Sequence, residues 1–222
     1  MTKLSIIYYS STGTVDAMAR RSAEAAEKQG AEVRLRQVAE LAPESAIAAN
    51  DGWQQHHDAT RDEPKAAADD VTWADAVIFG SPTRYGNIAS QLKQFLDTLG
   101  GEWSRGELAD KAYSGFTSSS TAHGGQESTL LALYNSIYHF GGIIVPPGYT
   151  DQLKFNDGNP YGVSQVSGAS GPGNVGDAEL QALDHLVSRV LKVGDLLAGS
   201  SGGQPAVEDQ GANAAGNNQA AA

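Results

Sequence analysis

Cysteine is absent from the 222 residues of this chain. The protein therefore has no disulfide bonds, no thiol nucleophile and no cysteine-ligated zinc or iron–sulfur centre. The adjacent histidines His56 and His57, beside Asp58, superficially suggest a metal site, but neighbouring residues on a helix point apart, so we predict no metal. Any redox chemistry must come from a bound cofactor, because no side chain offers a thiol couple.

Basic residues are scarce, with 15 Lys and Arg against 26 Asp and Glu, which gives a formal net charge of −11. A negative chain repels nucleic acid and anionic membrane surfaces. Long hydrophobic runs are also missing, since no segment approaches the roughly 18 apolar residues that cross a bilayer. The apolar segment Leu4–Tyr9 is too short for the core of a secretory signal. We therefore expect a cytoplasmic protein with no nucleic-acid partner and no membrane insertion.

Short apolar segments alternate with amphipathic helical patterns along the chain. Five strands are predicted, at Lys3–Tyr9, Glu32–Val38, Ala76–Gly80, Lys111–Thr117 and Ile143–Val145. Helices are predicted from Val15, from Ile88 to Leu99 with Gly100-Gly101 as the stop, over Gln126–Phe140, and from Asp177 to Leu197. This alternation predicts an α/β fold, a doubly wound five-stranded parallel sheet of flavodoxin-like order 2-1-3-4-5 with helices on both faces.

Three stretches lie outside that pattern. Pro43–Asp70 is a long polar insertion that we expect to carry a short helix, and Gly148–Gly176 is predicted to be a polar loop. From Gly199 onward the composition is mostly Gly, Ala, Asn, Gln and Ser. We predict one flavodoxin-like domain over residues 1–198 and a disordered, low-complexity tail over 199–222.

The segment Ser10–Thr14, here named L1, is a hydroxyl-rich turn between a strand and a helix. Such a turn presents side-chain hydroxyls, backbone N–H groups and the positive end of the helix dipole, which suit a phosphate dianion without Lys or Arg. L1 matches neither the nucleoside-triphosphate P-loop nor the Gly-x-Gly-x-x-Gly dinucleotide loop. The alternative for L1 is an ordinary Ser/Thr helix cap.

Two further loops follow predicted strands: Ser81–Asn87, named L2, and Ser118–Gly125, named L3. In L2, Tyr85 offers an aromatic face, and Arg84 could stabilise the negative charge that gathers at N1 and O2 of a reduced flavin. The alternative for L2 is a surface loop whose Arg forms a salt bridge. Because the carboxyl ends of parallel strands share one edge of the sheet, we expect all three loops to meet there.

Five segments, in consistent order along the chain, are shared with a known family. They are Tyr8–Gly13, Phe79–Asn87, Phe95–Asp97 with Gly100–Trp103, His123–Glu127, and Pro160–Gly162. With these segments the chain resembles the WrbA-type NAD(P)H:quinone oxidoreductases of the flavodoxin-like superfamily. The resemblance extends from Leu4 to about Leu197.

The resemblance implies a set of cofactor contacts. Those to the FMN phosphate fall on Ser10, Ser11, Thr12, Gly13, Thr14 and Val15. Those that line the isoalloxazine fall on Thr83, Arg84 and Tyr85, and the flanking Pro82, Gly86 and Asn87 are further cofactor-binding residues. Those to its pyrimidine side and the ribityl chain fall on Ser118, Ser119, Ser120, Thr121, Ala122, His123 and Gly124.

Three more assignments come from the same resemblance. His139 matches a flavin-contacting histidine, although a histidine near a helix end can equally complement the helix dipole. Trp103 matches an aromatic wall of the substrate pocket, although a lone aromatic after Gly-Gly also anchors loops or subunits. Thr12 falls at a nicotinamide contact that is commonly tyrosine in the family, and the threonine removes a stacking surface.

The function implied is an FMN-dependent NAD(P)H:quinone oxidoreductase. It would reduce quinones by two electrons in a ping-pong reaction, with hydride transfer through N5 of tightly but non-covalently bound FMN and with NADH or NADPH as co-substrate. Arg84, Tyr85 and His139 are the candidate catalytic residues, and a homo-oligomer, dimer or tetramer, is expected. The alternatives are a flavodoxin-type single-electron carrier and a flavoprotein that acts mainly as an interaction partner.

Overall fold

A parallel β-sheet forms the centre of the fold. The computed structural model describes residues 1–168 and 174–200. Its strands are β1 (Lys3–Tyr8), β2 (Glu32–Gln37), β3 (Ala76–Pro82), β4 (Ala112–Ser119), β5 (Ile143–Ile144) and β6 (Val163–Val166). The first five lie in the order β2-β1-β3-β4-β5, and each neighbouring pair is parallel. The predicted flavodoxin-like order is therefore confirmed.

The four helices predicted from amphipathic patterns are present, and shorter ones lie between them. In chain order the helices are α1 (Thr14–Lys28), α2 (Glu44–Ala48), α3 (Asp51–Thr60), α4 (Ala68–Thr72), α5 (Ser90–Asp97), α6 (Gly100–Ser104), α7 (Gln126–Phe140), α8 (Lys154–Asp157) and α9 (Asp177–Ser200). Gly100-Gly101 begins α6, so its prediction as a helix stop was wrong. The insertion Pro43–Asp70 contains α2, α3 and the start of α4 in place of one short helix.

The fifth strand is split in two. β5 pairs with Ala112 and Tyr113 at the start of β4, and β6 pairs with Phe116–Ser119 at its end. β3 pairs with one side of β4. The strands β5 and β6 therefore lie one after the other along the opposite side of β4. The prediction of a loop over Gly148–Gly176 was therefore wrong. The four residues of β6 are too few to show a strand pattern in the sequence, and they form a strand because the backbone of β4 is free to pair on that side.

Alternate residues of the central strands point to two separate cores. On one face Leu4, Ile6 and Tyr8 pack against α1 and α9. On the other face Ile7, Phe79 and neighbouring strand residues pack against α5 and α7. Both faces of the sheet are thus covered by helices, which explains why β3 and β4 are buried along their whole length.

The end of the chain is described only in part. Helix α9 extends past the predicted end at Leu197 and includes Gly199 and Ser200. The rest of the predicted tail 199–222 lies outside the described residues, and the domain boundary at residue 198 stays a prediction. Among the helices that the structure describes, none has the length and apolar character needed to cross a membrane.

A buried ion pair fixes the segment between β5 and β6. The side chains of Lys154 and Asp157 are both fully buried, and the Lys154 ammonium pairs with the Asp157 carboxylate. Lys154 Nζ also donates to the carbonyl oxygen of Gly162, at 3.0 Å, directly before β6. Burial lowers the pKa of Lys154 and raises the pKa of Asp157. The pair holds Lys154 in place, and the bond from Lys154 to Gly162 ties α8 to the start of β6.

We expect Lys154→Met to lower the free energy of unfolding by about 3–5 kcal/mol, because it leaves the Asp157 carboxylate buried without its cation. The double variant Lys154→Met/Asp157→Leu should recover most of this loss, because no buried charge remains. Urea unfolding followed by circular dichroism measures both.

The control is Lys93→Met, which removes an exposed i,i+4 pair with Asp97 on α5. Exposed pairs of this kind contribute about 0.5 kcal/mol or less. Equal destabilisation by Lys93→Met and Lys154→Met would show that the buried pair has no special role.

Candidate active site

The three loops L1, L2 and L3 meet at one edge of the sheet, at the carboxyl ends of β1, β3 and β4. Arg84 Nη2 in L2 donates to Ser11 Oγ in L1, at 3.1 Å. Thr83 Oγ1 in L2 donates to the carbonyl oxygen of Gly124 in L3, at 3.2 Å. L2 therefore bridges the other two loops, and the predicted convergence is present.

L1 is shaped by Gly13, which precedes α1 with a left-handed φ of 99°. In this conformation the Gly13 N–H donates to Ser10 Oγ at 3.1 Å, and the loop turns directly into the fifteen-residue helix α1. A residue with a Cβ would be strained at this φ, so glycine is required by the turn. The side chain of Val15 is buried in the core, so only its backbone can contact a ligand.

The charge around L1 suits a phosphate. The carboxylate in the first turn of α1 belongs to Asp16, and it accepts hydrogen bonds from the Tyr8 hydroxyl at 2.5 Å and from Arg20 Nε at 2.9 Å. Burial and the adjacent Asp16 raise the pKa of Tyr8 above its ordinary range, so this hydroxyl keeps its proton. Hydroxyls and helix N–H groups remain as the donor set of L1, with the Arg84 guanidinium beside Ser11. This set fits a phosphate monoester.

L2 ends in a tight turn that displays two side chains. The Arg84 N–H donates to the Asn87 carbonyl at 2.7 Å, and the Asn87 N–H donates to the Arg84 carbonyl at 3.1 Å. Tyr85 lies at the tip with a left-handed φ of 55°, and its side chain is fully exposed. A non-glycine residue in this region has a strained backbone. The Tyr85 ring is thus available to stack against a planar ligand.

Strand β4 continues into the first two residues of the predicted loop L3. Ser118 and Ser119 belong to β4, while Ser120, Thr121, Ala122 and His123 are exposed. Gly125, with φ +87°, lies against L2: a Cβ there would be 2.8 Å from Gly86 Cα. Two glycines therefore allow the backbones of L2 and L3 to touch, which a larger residue would prevent.

Trp103 and His139 lie away from the three loops. α5 and α7 both start at the loop edge and run back along the sheet, so α6 and the last turn of α7 lie at the opposite edge. There the exposed indole of Trp103 donates from Nε1 to the His139 carbonyl oxygen at 2.7 Å. Because β3 has seven residues, the two edges are about 20 Å apart. Within one chain, neither residue reaches a ligand held by L1, L2 and L3.

Glu40, which the sequence reasoning missed, organises the edge of the site beside L1. Its Oε2 accepts from Tyr9 Oη at 2.8 Å and from Trp53 Nε1 at 3.0 Å. Its Oε1 accepts from Gln91 Nε2 at 2.6 Å and from the two backbone N–H groups that follow Glu40, each at 2.9 Å. Burial alone would raise the pKa of Glu40, but the hydrogen bonds from the Ala42 N–H and from Gln91, Tyr9 and Trp53 outweigh it and lower the pKa. Glu40 therefore stays ionised.

A cavity of about 580 Å³ lies between α3 and L2. Its walls include Tyr9, Trp53, Arg84, Tyr85 and Ile88. It shares Arg84 and Tyr85 with L2, so the cavity is an extension of the loop edge. Another cavity, of about 520 Å³, lies at the opposite edge beside the N-terminus and α9, away from L1, L2 and L3. In the described residues, no group of three or more His, Asp or Glu side chains is placed to hold a metal ion.

The chain is similar in sequence to a flavin-related family and to individual known proteins. The sequence profile of the family described as NADPH-dependent FMN reductase matches residues 2–151. A protein of Deinococcus radiodurans named NAD(P)H dehydrogenase (quinone) is 50% identical over 163 residues, which cover 73% of this chain and 82% of the relative. A protein of the same name from Sinorhizobium fredii is 38% identical over 203 residues, covering 89% of this chain and 100% of the relative.

Solved structures share the fold at low sequence identity. A flavodoxin, WrbA-like protein from Agrobacterium tumefaciens superposes with a TM-score of 0.60 at 23% identity, covering 88% of this chain and 99% of that one. Oxidised flavodoxin 1 from Bacillus cereus superposes with a TM-score of 0.57 at 16% identity, covering 86% of this chain and 98% of that one. The profile match and the close relatives together decide the family. The chain belongs to the NADPH-dependent FMN reductase family.

Proposed function

We propose that the chain is an FMN-dependent NAD(P)H:quinone oxidoreductase. The observation that carries this proposal is the convergence of L1, L2 and L3, with Arg84 of L2 bonded to Ser11 of L1. The names of the relatives, NAD(P)H dehydrogenase (quinone), support the choice of substrates. When bound, FMN would supply the redox chemistry, the two-electron transfer from NAD(P)H to a quinone by way of a hydride at N5.

The residues of the three loops would bind and orient the cofactor. The hydroxyls and helix N–H groups of L1 hold the phosphate, and the backbones of L2 and L3 border the ring system. Arg84 places a guanidinium between the loops, where it offsets negative charge on a bound flavin. Tyr85, whose aromatic face is exposed, would cover the ring. The nicotinamide and the quinone use the open side of the site in turn, which makes the reaction ping-pong.

We further propose that the chain acts as a homo-oligomer. Trp103 and His139 lie at the far edge of the sheet from their own loops, so they can serve as substrate and flavin contacts only from another copy of the chain. The exposed rings of Trp103 and Tyr138, on the surface around His139, provide apolar area for such a contact. Within one copy, His139 in the last turn of α7 complements the helix dipole.

The direct test is to mix the purified chain with FMN, remove unbound flavin, and record the visible spectrum before and after anaerobic addition of NADH or NADPH. We expect a yellow protein whose flavin absorbance bleaches on addition of the nicotinamide and returns when a quinone is added. A protein that retains no flavin would overturn the proposal. Bound flavin that neither nicotinamide reduces would favour the electron carrier instead.

Replacing Arg84 tests its electrostatic role. Arg84→Ala should make the two-electron midpoint potential of the bound flavin more negative, by about 30 mV for each ~1.4 kcal/mol of lost charge stabilisation. Arg84→Lys keeps the positive charge and should shift the potential less. Spectroelectrochemical titration measures the difference, and equal potentials in Arg84→Ala and the wild type would rule the role out.

The close approach of L2 and L3 gives a further prediction. Gly125→Ala adds a Cβ that meets the Gly86 backbone, so it should separate the loops and weaken FMN binding about tenfold, or ~1.4 kcal/mol. The matched control is Gly106→Ala, at another left-handed glycine (φ +73°) with nothing within 4 Å of an added Cβ.

Gly106→Ala should therefore lower stability through backbone strain while FMN affinity stays unchanged. Fluorescence titration gives both affinities. The same affinity loss in the two variants would mean that backbone strain, and not loop separation, controls binding.

A further inference from the structure

The cavity between α3 and L2 is built around one tryptophan. Trp53 is half-buried, and its indole N–H is committed to Glu40, which fixes the ring plane in the cavity wall. Tyr9 and Gln91 are buried and bond both to Glu40 and to each other, at 3.1 Å between Gln91 Nε2 and Tyr9 Oη. The ring is therefore held by a rigid polar network while one side still faces open space.

Helix α3 does not need Trp53 as its sole anchor. Near its other end, Gln37 Nε2 donates to Thr60 Oγ1 at 3.3 Å, and Lys65 Nζ donates to Gln37 Oε1 at 2.7 Å and to the Thr60 carbonyl at 3.1 Å. This second network ties the C-terminal turn of α3 to the end of β2. The Glu40 network is thus available for a role besides holding the helix.

The walls of the cavity define the ligand chemistry. Trp53 and Tyr85 supply aromatic faces, Ile88 supplies an apolar side chain, and Arg84 supplies a cation. The other cation at the rim, Lys93, is paired with Asp97. Aromatic faces are electron-rich and stack well with flat, electron-poor rings. A volume of about 580 Å³ is sufficient for one such ring system.

We propose that this cavity binds the planar electron-poor ring of a redox substrate, a quinone or a nicotinamide, with Trp53 as the stacking wall and Glu40 as the positioning residue. The proposal rests on the proposed function, because Arg84 and Tyr85 place the cavity beside a flavin held by L2. It gives Trp53 a stacking role beside the loops of its own chain, in addition to the contact that Trp103 would make from another copy. Trp53 is in the same chain as the loops, whereas Trp103 is at the far edge.

Tryptophan fluorescence tests the contact directly. The variant Trp73→Phe/Trp103→Phe leaves Trp53 as the only tryptophan, and Trp53→Phe/Trp103→Phe leaves Trp73. Trp73 is a suitable control because its ring packs on the Arg34 guanidinium, 4.1 Å from the ring centroid, and does not line the cavity. The probes are 1,4-naphthoquinone and oxidised NADP, titrated into the FMN-loaded and the flavin-free protein.

Saturable quenching of Trp53 by one of the probes, with only linear collisional quenching of Trp73, supports the proposal and identifies which ring binds. Linear quenching of both tryptophans by both probes overturns it. If the wild-type chain retains no FMN, the proposed function fails, and the titration of the flavin-free protein still decides whether Trp53 contacts the ring.

Steady-state kinetics provide a second measurement. Trp53→Ala should raise KM about tenfold for the substrate whose ring quenches Trp53. It should leave FMN affinity within about twofold of the wild-type value, since Trp53 is not in the flavin loops. Trp53→Phe should leave KM close to the wild-type value, because phenylalanine keeps an aromatic face at this position. Unchanged KM values for both substrates in Trp53→Ala would overturn the proposal.

Glu40→Gln tests the positioning role. Losing the ionised acceptor should raise the same KM without lowering kcat, and it should shift the emission of Trp53 in the single-tryptophan background. The control, on the helix that carries Trp53, is Gln54→Ala, which removes an exposed bond from Gln54 Nε2 to Asp58 Oδ2 (3.0 Å). If Gln54→Ala shifts KM and emission as Glu40→Gln does, the effect belongs to α3 as a whole and Glu40 is no positioning residue.

Discussion

The parallel pairing of β1 with β3 and of β3 with β4 is the constraint on which the site depends. It aligns the carboxyl ends of three strands that are distant in the sequence, so that L1, L2 and L3 open at one edge. The helices that follow L1 and L3 then start there, with their N–H groups directed at the same space. A change of strand order would disperse the loops without altering any loop residue.

Short backbone contacts and one cation hold this edge together. Glycine at position 125 allows L3 to touch L2, and Arg84 connects L2 to L1 through Ser11. The local donors at this edge are hydroxyls, N–H groups and a single guanidinium, so the proposed site would suit an anionic cofactor despite a net charge of −11. The insertion after β2 adds to this edge by bringing Trp53 to the Glu40 carboxylate.

Elements with a long, regular pattern were predictable, and elements that depend on a distant partner were not. The fifteen-residue helix α7 was predicted with its observed bounds, because its apolar residues repeat over four turns. β6 was missed because its four residues become a strand only through the exposed edge of β4. Likewise, the role of Lys154 depends on Asp157 and Gly162, which nothing in a local pattern connects.

The sequence by itself determined the fold class and the three loops, because apolar periodicity and glycine-rich turns are local properties of the chain. The strand order was predicted from the match of five strands, with a phosphate-type loop after the first, to the flavodoxin-like pattern. Only the tertiary structure decided which aromatic and acidic side chains meet those loops. It placed Trp103 and His139 at the far edge and Trp53 and Glu40 at the near one, because the direction in which each helix leaves the sheet sets the edge at which its residues lie.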